Sequence, residues 1–317
     1  MNESKAGKIM QPLERLRQNI QTVFYGRPEV ITHLLVGVLA RGHVLIEDVP
    51  GVGKTVLARA LARSLNCQFS RIQLTPDLLP ADIIGVSIFN QEKQTFEFKP
   101  GPIFANVVLA DEINRTTPRT QSSLLEAMND ASVSVDGQTM ALPKPFMVVA
   151  TQNPFEFEGT YFLPENQLDR FLLRIQLGYP LRDREIAILT EQPGRHKLDN
   201  LEPVISIDEI IALQGQAAQV KVDQVLLDYL MDIVEATRRH EMLHTGLSPR
   251  GSLALMQAVQ ALALVNQRDY VTPDDIKELV VPVCSHRVIT KAYISNGDIS
   301  TAQRIMQEIL QSVPCPL

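Results

Sequence analysis

Five short runs rich in apolar and β-branched residues punctuate the first 180 residues of the chain: Val44–Glu47, Phe69–Leu74, Val107–Ala110, Phe146–Thr151 and Leu172–Leu177. A strand with one wet face alternates apolar and polar residues, whereas near-continuous apolar runs belong to strands covered on both sides. Helical segments fall between them, at Arg27–Ala40, Val56–Leu65 and Thr120–Asn129. The pattern predicts an α/β fold, a mostly parallel sheet covered by helices on both faces.

Two stretches interrupt this alternation. Residues 76–102 carry Pro76, Pro80, Gly85, Pro100 and Gly101 around alternating segments near Val86 and Thr95, which reads as a protruding hairpin insert. Residues 131–145 repeat the idea, with Val133 and Val135 leading into the tight-turn pair Asp136-Gly137. After Pro180 the texture changes. Residues 191–204 are polar and turn-rich, as in a linker, and the pattern from Ile205 onward is helical. Val225–Arg239 and Ser252–Val265 carry apolar residues at three-and-four spacing, and Thr272-Pro273-Asp274-Asp275 is a helix start. We therefore expect an α/β core over 1–190 and a small all-α domain over 205–317.

Composition narrows the function. At 317 residues there is material for about two domains. No apolar run approaches the ~18 residues of a membrane span, and the first residues lack a signal pattern. Cys67, Cys284 and Cys315 are widely spaced, which suits a reducing cytoplasm. A net charge of −6 offers no bulk attraction for nucleic acid.

The chemistry is carried by Asp48-Val-Pro-Gly-Val-Gly-Lys-Thr55, between the first strand and a helix. Gly51 and Gly53 let backbone N–H groups curl around phosphate oxygens, and the helix N-terminus adds positive potential. Lys54 can reach the β- and γ-phosphates of ATP, and the Thr55 hydroxyl can bind Mg²⁺. Pro50, Val52 and Val56 complete the nucleotide-binding stretch. Asp48 stands where the usual phosphate loop has glycine, and adds negative charge there unless its side chain points away. About 55 residues later a hydrophobic strand ends in Asp111-Glu112. One acid can approach the Mg²⁺ water shell while the next polarises an attacking water.

Asp-Val-Pro-Gly-Val-Gly-Lys-Thr, Leu-Ala-Asp-Glu-Ile-Asn-Arg, Ala150-Thr-Gln-Asn-Pro154, Leu163-Pro-Glu-Asn-Gln-Leu-Asp-Arg-Phe171 and Leu247-Ser-Pro-Arg-Gly251 occur in that order. Together they resemble the MoxR family of AAA+ ATPases over nearly the whole chain. The resemblance implies that residues 76–102 are the helix-2 insert and 131–145 the pre-sensor-1 hairpin. It implies that Asn153 is sensor 1, holding the attacking water or a γ-phosphate oxygen. Arg170 becomes the arginine finger offered to a neighbouring subunit, with Arg115 and Arg119 also near that interface. Arg250 becomes sensor 2, reaching the nucleotide of its own subunit, and Gly26 lies in the segment lining adenine. A hexameric ring is implied, as is a client protein bearing a von Willebrand factor A domain, remodelled or loaded with a metal cofactor.

A nucleic-acid motor resembling MCM helicases, or a subunit resembling magnesium chelatase, is the alternative. The hairpin tip Val135-Asp-Gly-Gln-Thr139 is acidic and polar, and Lys93 and Lys99 are set against Glu92 and Glu97, which does not suit DNA tracking. One further motif, His240-Glu-Met-Leu-His244, matches the zinc-protease pattern in letters. Gly246 and Pro249 should break any helix there, and no third ligand follows nearby.

Overall fold

The computed structural model describes residues 3–49, 51–153, 160–161, 163–191, 195–291 and 299–316. Two helices, α1 (Glu3–Gln21) and α2 (Pro28–Leu39), precede β1 (Val44–Glu47), the phosphate loop and α3 (Lys54–Ser64). Then follow β2 (Phe69–Gln73), α4 (Pro80–Ile84), the hairpin β3 (Gly85–Asn90) and β4 (Thr95–Pro100), β5 (Val107–Asp111) and α5 (Pro118–Asp130). A second hairpin, β6 (Ser132–Val135) and β7 (Gln138–Ala141), leads to β8 (Met147–Gln152), α6 (Glu165–Leu168) and β9 (Leu173–Ile175).

Five strands form one sheet in the order β2-β5-β8-β1-β9, and every neighbouring pair is parallel. Alternate residues of each strand feed different cores. Val44, Ile46, Val107, Leu109, Met147 and Val149 pack with α1, α2 and α3 on one face. Leu45, Val108, Ala110, Val148 and Ala150 pack with Leu124, Leu125 and Met128 of α5 on the other. That division is why the strands read as continuous apolar runs. The order matters for chemistry: β1 is flanked by β8 and β9, so the C-terminal ends of β1, β8, β5 and β2 lie side by side along one edge. Open parallel sheets bind ligands in the crevice outside such strand ends.

Two antiparallel hairpins form, β3 with β4 and β6 with β7. Asp136 and Gly137 have φ of 51° and 77°, the left-handed pair that a two-residue hairpin turn requires. The hairpins touch, Ser87 Oγ donating to Asp136 Oδ2 at 2.5 Å.

Beyond β9 lie α7 (Arg182–Glu191), α8 (Arg195–Asp199), α9 (Ile207–Ala217), α10 (Gln224–Arg239), β10 (Leu243–Thr245), α11 (Pro249–Val265), α12 (Pro273–Cys284), β11 (Ile289–Thr290) and α13 (Ile299–Ser312). The stretch expected as a linker contains α8, which docks on the core. Arg59 and Arg63 of α3 grip Asp199 at 3.1 and 3.3 Å, and Leu198 and Leu201 are buried. Among its described residues the lid is mainly helical, with a small antiparallel ribbon β10–β11 and a single bridge between Lys221 and Tyr270. Its helices start on side-chain caps: Asp223 accepts from Val225 N–H, Ser248 from Gly251 N–H, and Asp275 from Thr272 N–H. The lid packs through α11 against α2 and through α12 against β9, and its apolar residues join the same core as α1–α3.

Candidate nucleotide site

The loop after β1 bends through two left-handed residues, Gly51 (φ 89°) and Gly53 (φ 96°), before α3 begins at Lys54. A side chain at either would strain the turn, and open space surrounds the Cβ position of Gly51. The result is a concave backbone facing the α3 N-terminus, which fits a phosphate chain. Pro50 lies outside the described residues.

Asp48 resolves its own electrostatic problem by pointing away. Its Oδ1 accepts Val49 N–H at 2.8 Å and its Oδ2 accepts Gly178 N–H at 2.7 Å, fastening the loop to the segment after β9. Its carbonyl meanwhile accepts from Lys54 Nζ at 2.6 Å. Burial pulls the Lys54 ammonium below its ordinary range, while the charges of Asp48, Asp111 and Glu112 act in the opposite direction.

The acids emerge one strand over from β8. Asp111 closes β5 and Glu112 follows in a left-handed conformation, φ 60° and ψ 54°, unusual for a non-glycine residue. Thr151 of β8 fixes both: its hydroxyl donates to Asp111 Oδ1 at 2.6 Å and accepts Glu112 N–H at 2.9 Å. On the far side Arg71 and Gln73 of β2 complete the cluster. Arg71 donates to Asp111 Oδ2 at 2.6 and 3.1 Å, and Gln73 Nε2 donates to Glu112 Oε2 at 2.8 Å. Arg115 Nε also lies 3.3 Å from Glu112 Oε2, an ion pair within the same chain.

Gly51, Gly53, Lys54, Thr55, Val56, Asp111, Glu112 and Asn153 thus line one cavity of about 380 Å³, joined by Arg71 and Gln73. Val52 turns inward and packs against the core. Gly26 does not line this cavity; it sits under the buried ring of Phe24, which lies 2.2 Å from where a Gly26 Cβ would be and 3.4 Å from that of Gly53. One aromatic ring therefore joins the Gly26 segment to the phosphate loop. Sequence reasoning does not single out Arg71, Gln73 or Thr151. A local signal exists only for Thr151, two residues before Asn153; the β2 pair depends on strand order.

Arg170 and Arg250 occupy a different place. Both line a second cavity of about 280 Å³, with Arg41, Asn129, Asp169 and Arg287, and it shares no lining residue with the first. Arg170 donates to the Leu125 carbonyl on α5, and its buried Nε has no hydrogen-bond partner among the described residues. Arg250 donates to Asn129 Oδ1 at 3.0 Å and lies 3.6 Å from Asp169 Oδ2. Packing of α11 and α12 on the core thus places Arg250 at the second cavity, beside Asn129 and Asp169. Arg119 is exposed at the start of α5.

The zinc-like motif is not on a helix. His240 ends α10 in extended geometry, and His244 sits in β10, so the two rings do not share a helical face. Among the described residues no cluster of three or more His, Cys, Asp or Glu is placed to hold a metal, and no helix is long and apolar enough to cross a membrane.

Residues 43–173 match the family model described as ATPase family associated with various cellular activities (AAA), and residues 235–309 match the AAA lid domain. The chain is 50% identical over 300 residues to the uncharacterized protein YeaC of Bacillus subtilis, covering 95% of this chain and 93% of that one. It is 41% identical over 316 residues to the chaperone MoxR1 of Mycobacterium tuberculosis, covering 96% and 82%. A crystal structure of a provisionally assigned ATPase from Cytophaga hutchinsonii superposes with a TM-score of 0.87 at 35% identity, covering 99% and 98%. A parallel sheet with a phosphate loop at its edge, a helical lid and these near full-length relatives lead to one conclusion: the chain belongs to the MoxR family of AAA+ ATPases.

Proposed function

We propose that this protein hydrolyses ATP in a ring of identical subunits and uses the energy to remodel or activate a client protein. The observation that carries the reading is the convergence of Lys54, Thr55, Asp111, Glu112 and Asn153 on one cavity at adjacent strand ends. Backbone N–H groups of the loop and Lys54 bind the phosphates. Thr55 and, through water, Asp111 would hold Mg²⁺, which neutralises charge on the transferred phosphoryl oxygens when bound. Glu112 accepts a proton from the attacking water, and Asn153 orients that water or a γ-phosphate oxygen.

Among the described residues lining this site the one arginine, Arg71, is paired with Asp111, and the second cavity offers others. Arg170 and Arg250 are presented there together, so both act on the nucleotide of the adjoining subunit. Hydrolysis then requires assembly, and six subunits is the expected ring. Residues 1–190 form the core, 191–204 the connection and 205–317 the lid in this reading.

The coupled insert hairpins support a polypeptide client. Val86, Ile88, Phe89 and Phe96 are exposed, with the two phenylalanines edge-to-face at 5.2 Å, and acidic Asp136 stands at the neighbouring tip. Such a surface suits protein contact and lacks the cation stripe a nucleic-acid tracker needs. We assign the client as a von Willebrand factor A-domain protein, handled in the cytoplasm and in some cases receiving a metal cofactor. Affinity capture with Glu112→Gln in ATP tests this. A protein with that domain should elute from native lysate with ATP and disappear when ATP is omitted. ATP-dependent eluates containing no such protein would overturn the client assignment.

A further inference from the structure

The lid reaches into the core at one point where hydrogen bonds concentrate. Arg287 follows α12 closely, and its side chain is 3% exposed. Its guanidinium is directed at the turn 169–172. Nε donates to Asp169 Oδ1 at 2.9 Å, Nη2 to the Phe171 carbonyl at 2.6 Å and the Asp169 carbonyl at 3.4 Å, and Nη1 to the Leu172 carbonyl at 3.1 Å. These acceptors bracket Arg170. The other oxygen of Asp169 faces Arg250 at 3.6 Å. Arg170 and Arg250 each then contact α5, through the Leu125 carbonyl and Asn129 Oδ1.

A buried ion pair is weak evidence for a stabilising role, because well-packed apolar residues often serve stability as well. Here one lid side chain holds the Asp169 carboxylate and three backbone carbonyls on both sides of a single arginine, Arg170. Arg287 Nη1 also donates to the Val283 carbonyl of α12 and lies 2.9 Å from His286 Nε2. Arg170 has a buried Nε still without a partner among the described residues. A planar, five-donor guanidinium is the side chain that can hold a carboxylate and several carbonyls at once.

We propose that Arg287 is a positioning residue. It locks the 169–172 turn so that Arg170 and Arg250 are presented as a pair, and the seating of the lid on its own core thereby sets the hydrolysis rate in the adjoining subunit. The proposal rests on the reading of Arg170 as a finger acting between subunits. A device that acted on the subunit's own nucleotide would place Arg287 near the phosphate loop; it lines only the second cavity.

The test uses full-length rings of Arg287→Met, which keeps length and burial while removing the donors. The kcat should fall about 30- to 100-fold, as expected for a misplaced catalytic group, while the ATP Kd changes by no more than about twofold. Mixing Arg287→Met with Glu112→Gln in equal amounts should restore about a quarter of the parent rate, because that share of interfaces joins an intact base to an intact finger. Arg170→Ala mixed with Glu112→Gln is the control and should recover similarly. Recovery in the control without recovery for Arg287→Met would show that Arg287 serves its own subunit's site and overturn the proposal alone. No recovery in the control would overturn the inter-subunit finger and the proposal with it. If Arg287→Met does not assemble, Asp169→Asn, which removes the shared carboxylate, replaces it in the same mixing experiment. Recovery of Asp169→Asn alongside the control then supports the proposal, and failure to recover beside a recovering control overturns it.

Discussion

Gln73 donates a 2.8 Å hydrogen bond to Glu112 Oε2, across from strand β2 to the end of β5, and so occupies the carboxylate expected to act on water. While the amide holds that oxygen, its lone pair is not open to a proton from water. We therefore predict that Gln73→Ala raises unstimulated ATP hydrolysis by about three- to tenfold with little change in ATP affinity. A steady-state phosphate assay checks this. A fall in kcat instead would mean that Gln73 aims the base rather than restrains it.

Thr151 is the hinge pin of the same acids. Thr151→Val keeps the shape but leaves Asp111 Oδ1 and the strained Glu112 amide without the hydroxyl. A lost partner at a buried polar group costs about 1–3 kcal/mol. We expect a lower melting temperature and a kcat reduced about tenfold, on the scale of a relaxed catalytic geometry. Thr151→Ser should restore most of the rate; equal defects in both variants would point to lost packing by the methyl group.

Asp48 anchors the phosphate loop through Val49 and Gly178. Asp48→Gly restores the usual loop residue and yet should weaken ATP binding, because the anchor is lost. A roughly three- to tenfold rise in Kd corresponds to about 0.7–1.4 kcal/mol, the net worth of one ordinary intramolecular hydrogen bond. Titration with a fluorescent ATP analogue measures it. Tighter binding by Asp48→Gly would show that the acid's charge outweighs its anchoring.

Acid should loosen the core through His43. Its Nδ1 accepts Val148 N–H and its Nε2 faces the Met128 carbonyl, tying the approach to β1 to β8 and α5, and burial lowers its pKa to about 4. Because the folded value lies below the unfolded 6.5, stability from this group is complete above pH 6.5. It is lost as pH falls from 6.5 toward 4. At pH ~5.5 the loss is about 1 kcal/mol from His43. His286, also held neutral by burial and the nearby Arg287, adds in the same direction. Melting curves from about pH 7.5 to 5 should show a shallower decline for His43→Gln than for the parent protein. Parallel declines would remove His43 as the source.

The parts of the fold and site that are legible in sequence are those fixed by local pattern. Val44–Glu47 and Val107–Asp111 announce themselves because burial on both faces leaves no polar alternation. Lys54, Thr55, Asp111, Glu112 and Asn153 are legible because each closes or follows a strand that ends at the same sheet edge. The rest depends on what lies beside what. Arg71 and Gln73 matter only because β2 pairs with β5, and no spacing rule places β2 there. The position of Arg250, beside Asn129 and Asp169, is decided by α11 on α2 and α12 on β9, which are long-range packing choices. The polar stretch 191–204 reads as a linker, yet Leu198 and Leu201, two apolar residues within it, suffice to dock α8 against α3.

The most direct measurement is phosphate release, followed alongside ATP binding, in three purified rings: the parent, Lys54→Ala and Glu112→Gln. The account predicts turnover in the parent, loss of binding in Lys54→Ala, and retained binding with hydrolysis reduced about 10²- to 10⁴-fold in Glu112→Gln. Undiminished phosphate release by Glu112→Gln, or tight ATP binding by Lys54→Ala, would contradict it.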